Sequence, residues 1–317
     1  MKLTNLAILF FIIELTMITI LDLRTNNLTA VSNRRIEYDK ELDSAIEDGV
    51  ANLVEVDSKR NLVLNKDAAA SQFYESLSAN FGVSGNGQAE NRLKGYIPVI
   101  LITDTDGFYI NYSNTYVSNG ETLLDQKWTE KIPYAYQDGN LIYRFTLGAY
   151  VTLYDKSTNA IYDGEYKDLA AQFPGTIMAN DETFDTIRRN AIIGAIEQSM
   201  NYYINLHNSI AYQYGITYQF WLPQIDKTDW YRTIDDISML VIFQGYPYTP
   251  ASMDTYNRYA LGGARITKLK AYYITEENRL KYYHREECPN VNMSGMAYYT
   301  KEECALEGAY PCLECSP

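Results

Sequence analysis

The chain opens on a nearly unbroken apolar run from Leu6 to Leu21, extendable outward to Leu3 and Leu23. About 20 residues at 1.5 Å each cross a bilayer core, so residues 1–23 read as a slightly short transmembrane anchor. No small-x-small cleavage site follows, since Ala30 has no small residue two places earlier, and the anchor is expected to be retained as a single pass. Between Thr25 and Glu55, Leu28, Val31, Tyr38, Leu42, Ala45, Ile46, Val50 and Leu53 recur at spacings of three, four and seven, with charged residues on the other faces. This predicts an amphipathic stalk over residues 24–55, and a helix from Leu3 to Glu55 about 80 Å long.

Residues 56–66 break the helical pattern, and Phe73, Leu77 and Phe81 place a second helix over Asp67 to Phe81, followed by a loop at Gly82, Gly85 and Gly87. From Tyr96 the period changes to that of strands. YIPVILITD, DGFYINYS, KIPYAYQ, NLIYRFTLG and AYVTLYD are β-branched and aromatic runs, punctuated by hairpin signals at Asp106-Gly107, Asp138-Gly139-Asn140 and Asp163-Gly164. No helical crossovers separate them, so the sheet is expected to be antiparallel. A long helix over Asp181 to Tyr214 follows, with Asp181 as its cap and Gly215 as its stop. TYQFWLPQI reads as a strand ending at Pro223, DWYRTIDDISMLVIFQG as a short helix leading into a buried strand, and YNRYALGGARITKLKAYYI as a final strand. The fold class is therefore α+β: an anchor at 1–23, a stalk at 24–55, an α+β domain at 56–275 and a small module at 276–317.

Composition narrows the function classes. A 46% hydrophobic content with 30 tyrosines excludes a disordered chain. A net charge of −13 argues against nucleic acid as a partner, because that affinity rests on clustered Lys and Arg. No GxSxG elbow, HExxH motif or phosphate loop occurs, and two histidines leave little for acid–base work, so the protein is expected not to be an enzyme. Asp226, Asp229, Asp235 and Asp236 cluster in sequence and keep a carboxylate-dependent, glycan-acting enzyme as an alternative. His207 lies close to the apolar face of the long helix and reads as a satisfied core residue. Asp104-Thr105-Asp106-Gly107 reads as a turn instead of a metal loop.

Glu14 is the one ionisable group within the apolar run, where a charge requires a partner or a proton. The surrounding FFIIELTMI resembles the N-terminal helix of type IV prepilins and the minor pilins of tight-adherence systems. That resemblance implies that Glu14 pairs with an amine of a neighbouring subunit. It departs from the family at the processing site, where Leu9 stands in place of a small residue. The resemblance implies a cell-membrane protein with protein partners along its first helix. Lys2 precedes the run and Arg24, Arg34 and Arg35 follow it, so a strict count would hold the body inside; a very short N-terminal flank allows the opposite, and the body is expected outside the cytoplasm. VILITDTDGFYINY resembles the strand pair of Cache or PAS-like sensor domains, which implies a ligand-binding module as another alternative.

The tail carries the most specific pattern. Cys312 and Cys315 form a Cys-x2-Cys knuckle, and His284 and Cys288 form a His-x3-Cys pair upstream, which together offer one imidazole and three thiolates for a closed, structural zinc site. YYHREEC followed by AYYTKEECALEGAYPCLEC resembles the zinc module of Ada-type DNA repair proteins. His284 replaces the cysteine that accepts a methyl group there, so repair chemistry is not implied. Cys304 falls at a small residue of the family's short helix, which implies a packing role. Two disulfides among the four cysteines are the competing reading of the tail. Taken together, the sequence predicts a membrane-anchored accessory or minor pilin-like subunit of a bacterial surface or secretion assembly, stabilised by a structural Zn2+.

Overall fold

A computed structural model describes residues 3–56, 62–118, 121–248, 254–264, 272–277, 279–285, 288–292, 295–298 and 301–315. The chain divides into two compact units, residues 1–264 and 265–317.

The larger unit begins with helix α1 (Leu3–Ala51), which at 1.5 Å per residue is about 73 Å long. It stops short of Glu55 because Asn52 and Leu53 form a turn, with Leu53 fully buried, and β1 (Val54–Val56) then pairs with β2 (Leu62–Leu64). Residues 57–61 lie outside the described residues. Helix α2 (Lys66–Asn80) is capped by Asn65, whose side chain accepts from the Ala68 amide, and the glycine-marked loop contains a short helix, α3 (Gly87–Lys94), capped by Asn86.

Nine strands of the described residues form one antiparallel sheet: β3 (Val99–Asp104), β4 (Gly107–Ser118), β5 (Glu121–Trp128), β6 (Ile132–Asp138), β7 (Leu141–Phe145), β8 (Tyr150–Asp155), β9 (Ala160–Glu165), β10 (Ser238–Pro247) and β11 (Thr255–Gly263). Their order is β11-β10-β3-β4-β6-β7-β8-β9, with β5 also paired to β4. Asp163 and Gly164 do not turn the chain; they sit inside β9 opposite Thr152 and Val151. The β8–β9 turn lies earlier, where Asp155 accepts from the Ser157 amide and Asn159 takes a φ of 56°.

Helices α4 (Tyr166–Ala170), α5 (Asp181–Ile210) and α6 (Lys227–Asp235) complete the unit. Asn180, not Asp181, caps α5, accepting from the Thr183 amide, and the helix tightens into a 3-10 turn over Ala211–Tyr214 before Gly215 at φ 72°. TYQFWLPQI forms neither helix nor strand and has no ladder partner among the described residues. Its polar backbone is met by side chains: Asn208 brackets Phe220, and Gln244 accepts from the Trp221 amide.

Strands β3 and β10 carry the core, being buried from Val99 to Thr103 and from Ser238 to Gly245. Strand alternation turns Met239 and Phe243 to one face, where Met239 meets Gly49 of α1 and Phe243 meets Phe81 at the end of α2. Tyr112 of β4 packs against Tyr203 of α5, with ring centroids 4.4 Å apart. The C-terminal half of α1 is thus core, through Leu42, Ala45, Ile46 and Val50. Asp39 and Asp43 tie it to β11 by accepting from the Tyr256 hydroxyl and the Arg258 guanidinium. Gly262 is required at this contact, since a Cβ there would lie 2.7 Å from a Val50 methyl.

The N-terminal half of α1 corrects the sequence reading. Among the described residues no helix is long and apolar enough to cross a membrane. Over the part of α1 whose side chains are described, the apolar run is interrupted by Glu14, Thr16 and Thr19 and then meets Asp22 and Arg24, and charges in a bilayer core cost several kcal/mol each. The expected transmembrane anchor, the single-pass cell-membrane placement and the orientation of the body derived from it therefore do not hold. The α+β class with its antiparallel sheet and long first helix stands.

The smaller unit contains β12 (Tyr272–Glu277), β13 (Leu280–Arg285), β14 (Ala297–Tyr298), α7 (Lys301–Leu306) and β15 (Ala309–Pro311), with its strands in the order β14-β12-β13-β15. The β12–β13 hairpin is antiparallel and β13–β15 parallel. Its buried cluster consists of Tyr272, Tyr283, Cys304 and Ala309.

Candidate metal centre

Local chain geometry explains how four ligand side chains separated in sequence meet in the smaller unit. The β12–β13 hairpin places His284 opposite Tyr273, and the next residue but one on β12, Thr275, is its diagonal neighbour across the ladder. A turn closed by the Cys288 amide donating to the Arg285 carbonyl brings Cys288 back beside His284. Gly308, at φ 75°, ends α7 and sends the chain into β15, parallel to β13. The Cys312 amide then donates to the Tyr283 carbonyl, which fixes Cys312 next to His284 in space. Across the knuckle, the Asn290 amide donates to Glu314 over 2.6 Å.

The ligand atoms of His284, Cys288, Cys312 and Cys315 all lie within 4.8 Å of one another. His284 is 2% exposed and Cys288 and Cys312 are buried, with Cys315 half-buried. No disulfide joins any of the four cysteines. The imidazole has two distinct sides. Nδ1 lies 3.3 Å from the Cys288 sulfur, whereas Nε2 lies 2.6 Å from the Thr275 hydroxyl. With Nε2–H donating to Thr275, the Nδ1 lone pair faces the thiols, the arrangement by which a partner behind the ring orients a metal-ligating histidine.

The sulfurs experience opposite fields. Burial pushes the Cys288 thiol up, and the neighbouring Cys315 and Cys312 thiols add to that effect. The Cys312 thiol is pushed down, chiefly by the Cys315 backbone N–H aimed at its sulfur and also by that of Glu314, against the effect of burial. A tetrahedron with arms of 2.0–2.3 Å has edges of about 3.3–3.8 Å, so the cluster needs a contraction of about 1 Å at its widest pair to enclose an ion. Three sulfurs and one imidazole nitrogen can therefore hold a metal ion, and all four coordination positions of a tetrahedral ion are filled by the protein. No family model matches the chain, and no curated protein or solved structure matches it. The assignment of this cluster rests on its geometry.

Cys304 is outside the cluster. It is fully buried among Tyr272, Tyr283 and Ala309, and burial pushes its thiol up. Thr275 was not legible as part of the site, because its position behind His284 depends on the register of the β12–β13 ladder.

The other sequence candidates among the aspartates are engaged in structural contacts, and Asp226 and Asp229 both meet the Tyr259 hydroxyl, the former through its backbone amide. Asp226 caps α6, Asp229 accepts from the Tyr259 hydroxyl, and Asp235 pairs with Arg189 at 2.8 Å. Asp236 accepts from the Ile237 amide. Asp104 and Asp106 both hold Lys131, at 2.7 and 2.6 Å, across the β3–β4 turn. Glu14 is exposed on α1.

His207 is fully buried in the larger unit, with Nε2 2.8 Å from the Gly95 carbonyl and Nδ1 3.2 Å from the Ser113 hydroxyl. Burial pushes its pKa down to about 4, against the Gly95 hydrogen bond, which raises it. An unfolded histidine titrates near 6.5, so between these values the unfolded chain binds the extra proton and stability falls as pH falls. The expected loss is about 3 kcal/mol between pH 6.5 and 4. Urea unfolding followed by tryptophan emission checks this, since Trp128, Trp221 and Trp230 all belong to the larger unit. His207→Gln should be less stable at neutral pH and show a shallower acid limb; an unchanged limb would contradict the assignment.

Proposed function

We propose that the chain is a non-enzymatic accessory subunit, minor pilin-like, that joins protein partners of a bacterial surface or secretion assembly through α1, with its smaller unit folded around a structural zinc ion. The observation that supports assembly is the exposure of Phe10, Phe11, Ile12, Ile13, Leu15 and Ile18, each more than half exposed within nine residues of one helix. An exposed apolar stretch of this kind marks an interaction site, and helices of neighbouring subunits would cover it on several sides without a membrane span. Glu14, within that stretch, would take an amine or other polar donor of a neighbouring subunit, as the resemblance of FFIIELTMI implies. For the ion, a His/Cys3 donor set of tetrahedral arity favours zinc over the oxygen-seeking magnesium and calcium. A site with four protein ligands holds the fold together instead of activating water.

Assembly is tested by sedimentation and by co-purification from the native source. Ile13→Ser with Ile18→Ser, and separately Glu14→Gln, should lower the assembled mass and reduce co-purified partners at unchanged helix content. Equal mass and equal partner recovery in all variants would contradict the reading.

A further inference from the structure

A second feature of the larger unit is independent of α1 and of the metal cluster. Between α2, α3 and the β4–β5 hairpin lies a cavity of about 400 Å³, within the size range of small-molecule sites. The hairpin register pairs Asn111 with Trp128 and Ser113 with Gln126, so these four side chains stand on one face of the two strands. Gln126 is held in place by donating to the Ser113 hydroxyl. Asn111 and Tyr74, from opposite walls, line the cavity. The Oδ1 of Asn111 and the hydroxyl of Tyr74 are buried and have no hydrogen-bond partner among the described residues. Asn111 is only 4% exposed, and an unpaired buried polar group of this kind costs about 1–3 kcal/mol.

We propose that this cavity binds a neutral monosaccharide. A sugar hydroxyl both donates and accepts, as Asn111 and Tyr74 together require, and the half-buried Trp128, with the Lys66 ammonium 5.7 Å from its ring centroid on one side, leaves its other side for the apolar side of a pyranose ring. Charge selects against anions, since Asp67, Glu75 and Glu90 line the cavity against the ammonium of Lys94 and that of Lys66, which is paired with Asp67 at 3.4 Å. A purely cationic ligand would supply donors alone, whereas the inner wall of amide and hydroxyl groups is neutral and mixed in polarity.

The test uses the full chain and four probes: glucose, galactose, mannose and N-acetylglucosamine, with glucuronate and glucosamine as charged counterparts. At millimolar concentration at least one neutral sugar should raise the melting temperature and shift tryptophan emission. Asn111→Leu should weaken that sugar by at least about tenfold while leaving the sugar-free melting temperature unchanged or raised, because the unpaired carbonyl oxygen is removed. Tyr74→Phe provides a second variant with the same expected loss of affinity. The proposal is overturned if none of the four neutral sugars produces a shift, if both variants bind as tightly as the parent, or if a charged counterpart binds more tightly than every neutral sugar.

Discussion

Removing the metal should unfold residues 265–317 and leave residues 1–264 folded. Among the described residues the smaller unit buries a small apolar cluster built on Tyr272, Tyr283, Cys304 and Ala309, too little apolar area to offset the chain entropy of a unit of that size. A structural zinc contributes about 10–16 kcal/mol of apparent binding free energy near pH 7, which is folding free energy when the site does not exist in the unfolded chain. Chelator should therefore abolish the tyrosine near-ultraviolet signal and amide protection of the tail while tryptophan emission, confined to the larger unit, stays unchanged. Cys312→Ser should reproduce the chelated state, because it removes the buried sulfur toward which two backbone N–H groups point. Acid should do the same, as protons compete with the ion for each thiolate. Cys304→Ser should leave metal content unchanged at some cost in packing. A tail that stays folded in excess chelator would show that the metal is dispensable.

The second large effect separates the two halves of α1. Ile46 is 2% exposed and packs where Gly262 of β11 approaches the helix, so Ile46→Ala should destabilise the larger unit by about 2–5 kcal/mol. Ile18, on the same helix, is 56% exposed, and Ile18→Ala should change stability by less than about 0.5 kcal/mol. Urea unfolding of the two variants measures the contrast. Comparable losses would mean that the N-terminal half is packed on the body of the protein, and the proposed interaction surface would disappear with it.

Much of this architecture was legible because the period of apolar residues is a direct consequence of burial. Tyr38, Leu42, Ile46 and Val50 marked the packed half of α1, and the strand runs from Val99 to Asp155 appeared as β3, β4, β6, β7 and β8. The errors have physical causes. TYQFWLPQI has strand composition, but the Phe220 backbone is bonded to Asn208 and the Trp221 amide to Gln244, a tertiary choice that local pattern does not encode. Asp163-Gly164 carries a turn signature, yet the Asp155 carboxylate organises the earlier turn and leaves the dipeptide in β9. The apolar run near the N-terminus has nearly the length of a membrane span, but Glu14, Asp22 and Arg24 leave the helix insufficiently apolar to cross. The members of the candidate metal cluster were readable because their spacing brings them together in pairs: three residues between His284 and Cys288, and two between Cys312 and Cys315. Thr275, Tyr74 and Asn111 were not, because their roles arise from ladder register and helix packing.

The central claim is that His284, Cys288, Cys312 and Cys315 close around one ion, and X-ray absorption with metal quantification on the full-length protein tests it most directly. The account predicts one zinc per chain, with three sulfur neighbours at about 2.3 Å and one nitrogen at about 2.0–2.1 Å. Protein isolated without reductant that contains no metal and no titratable thiols, the signature of two disulfides, would contradict it.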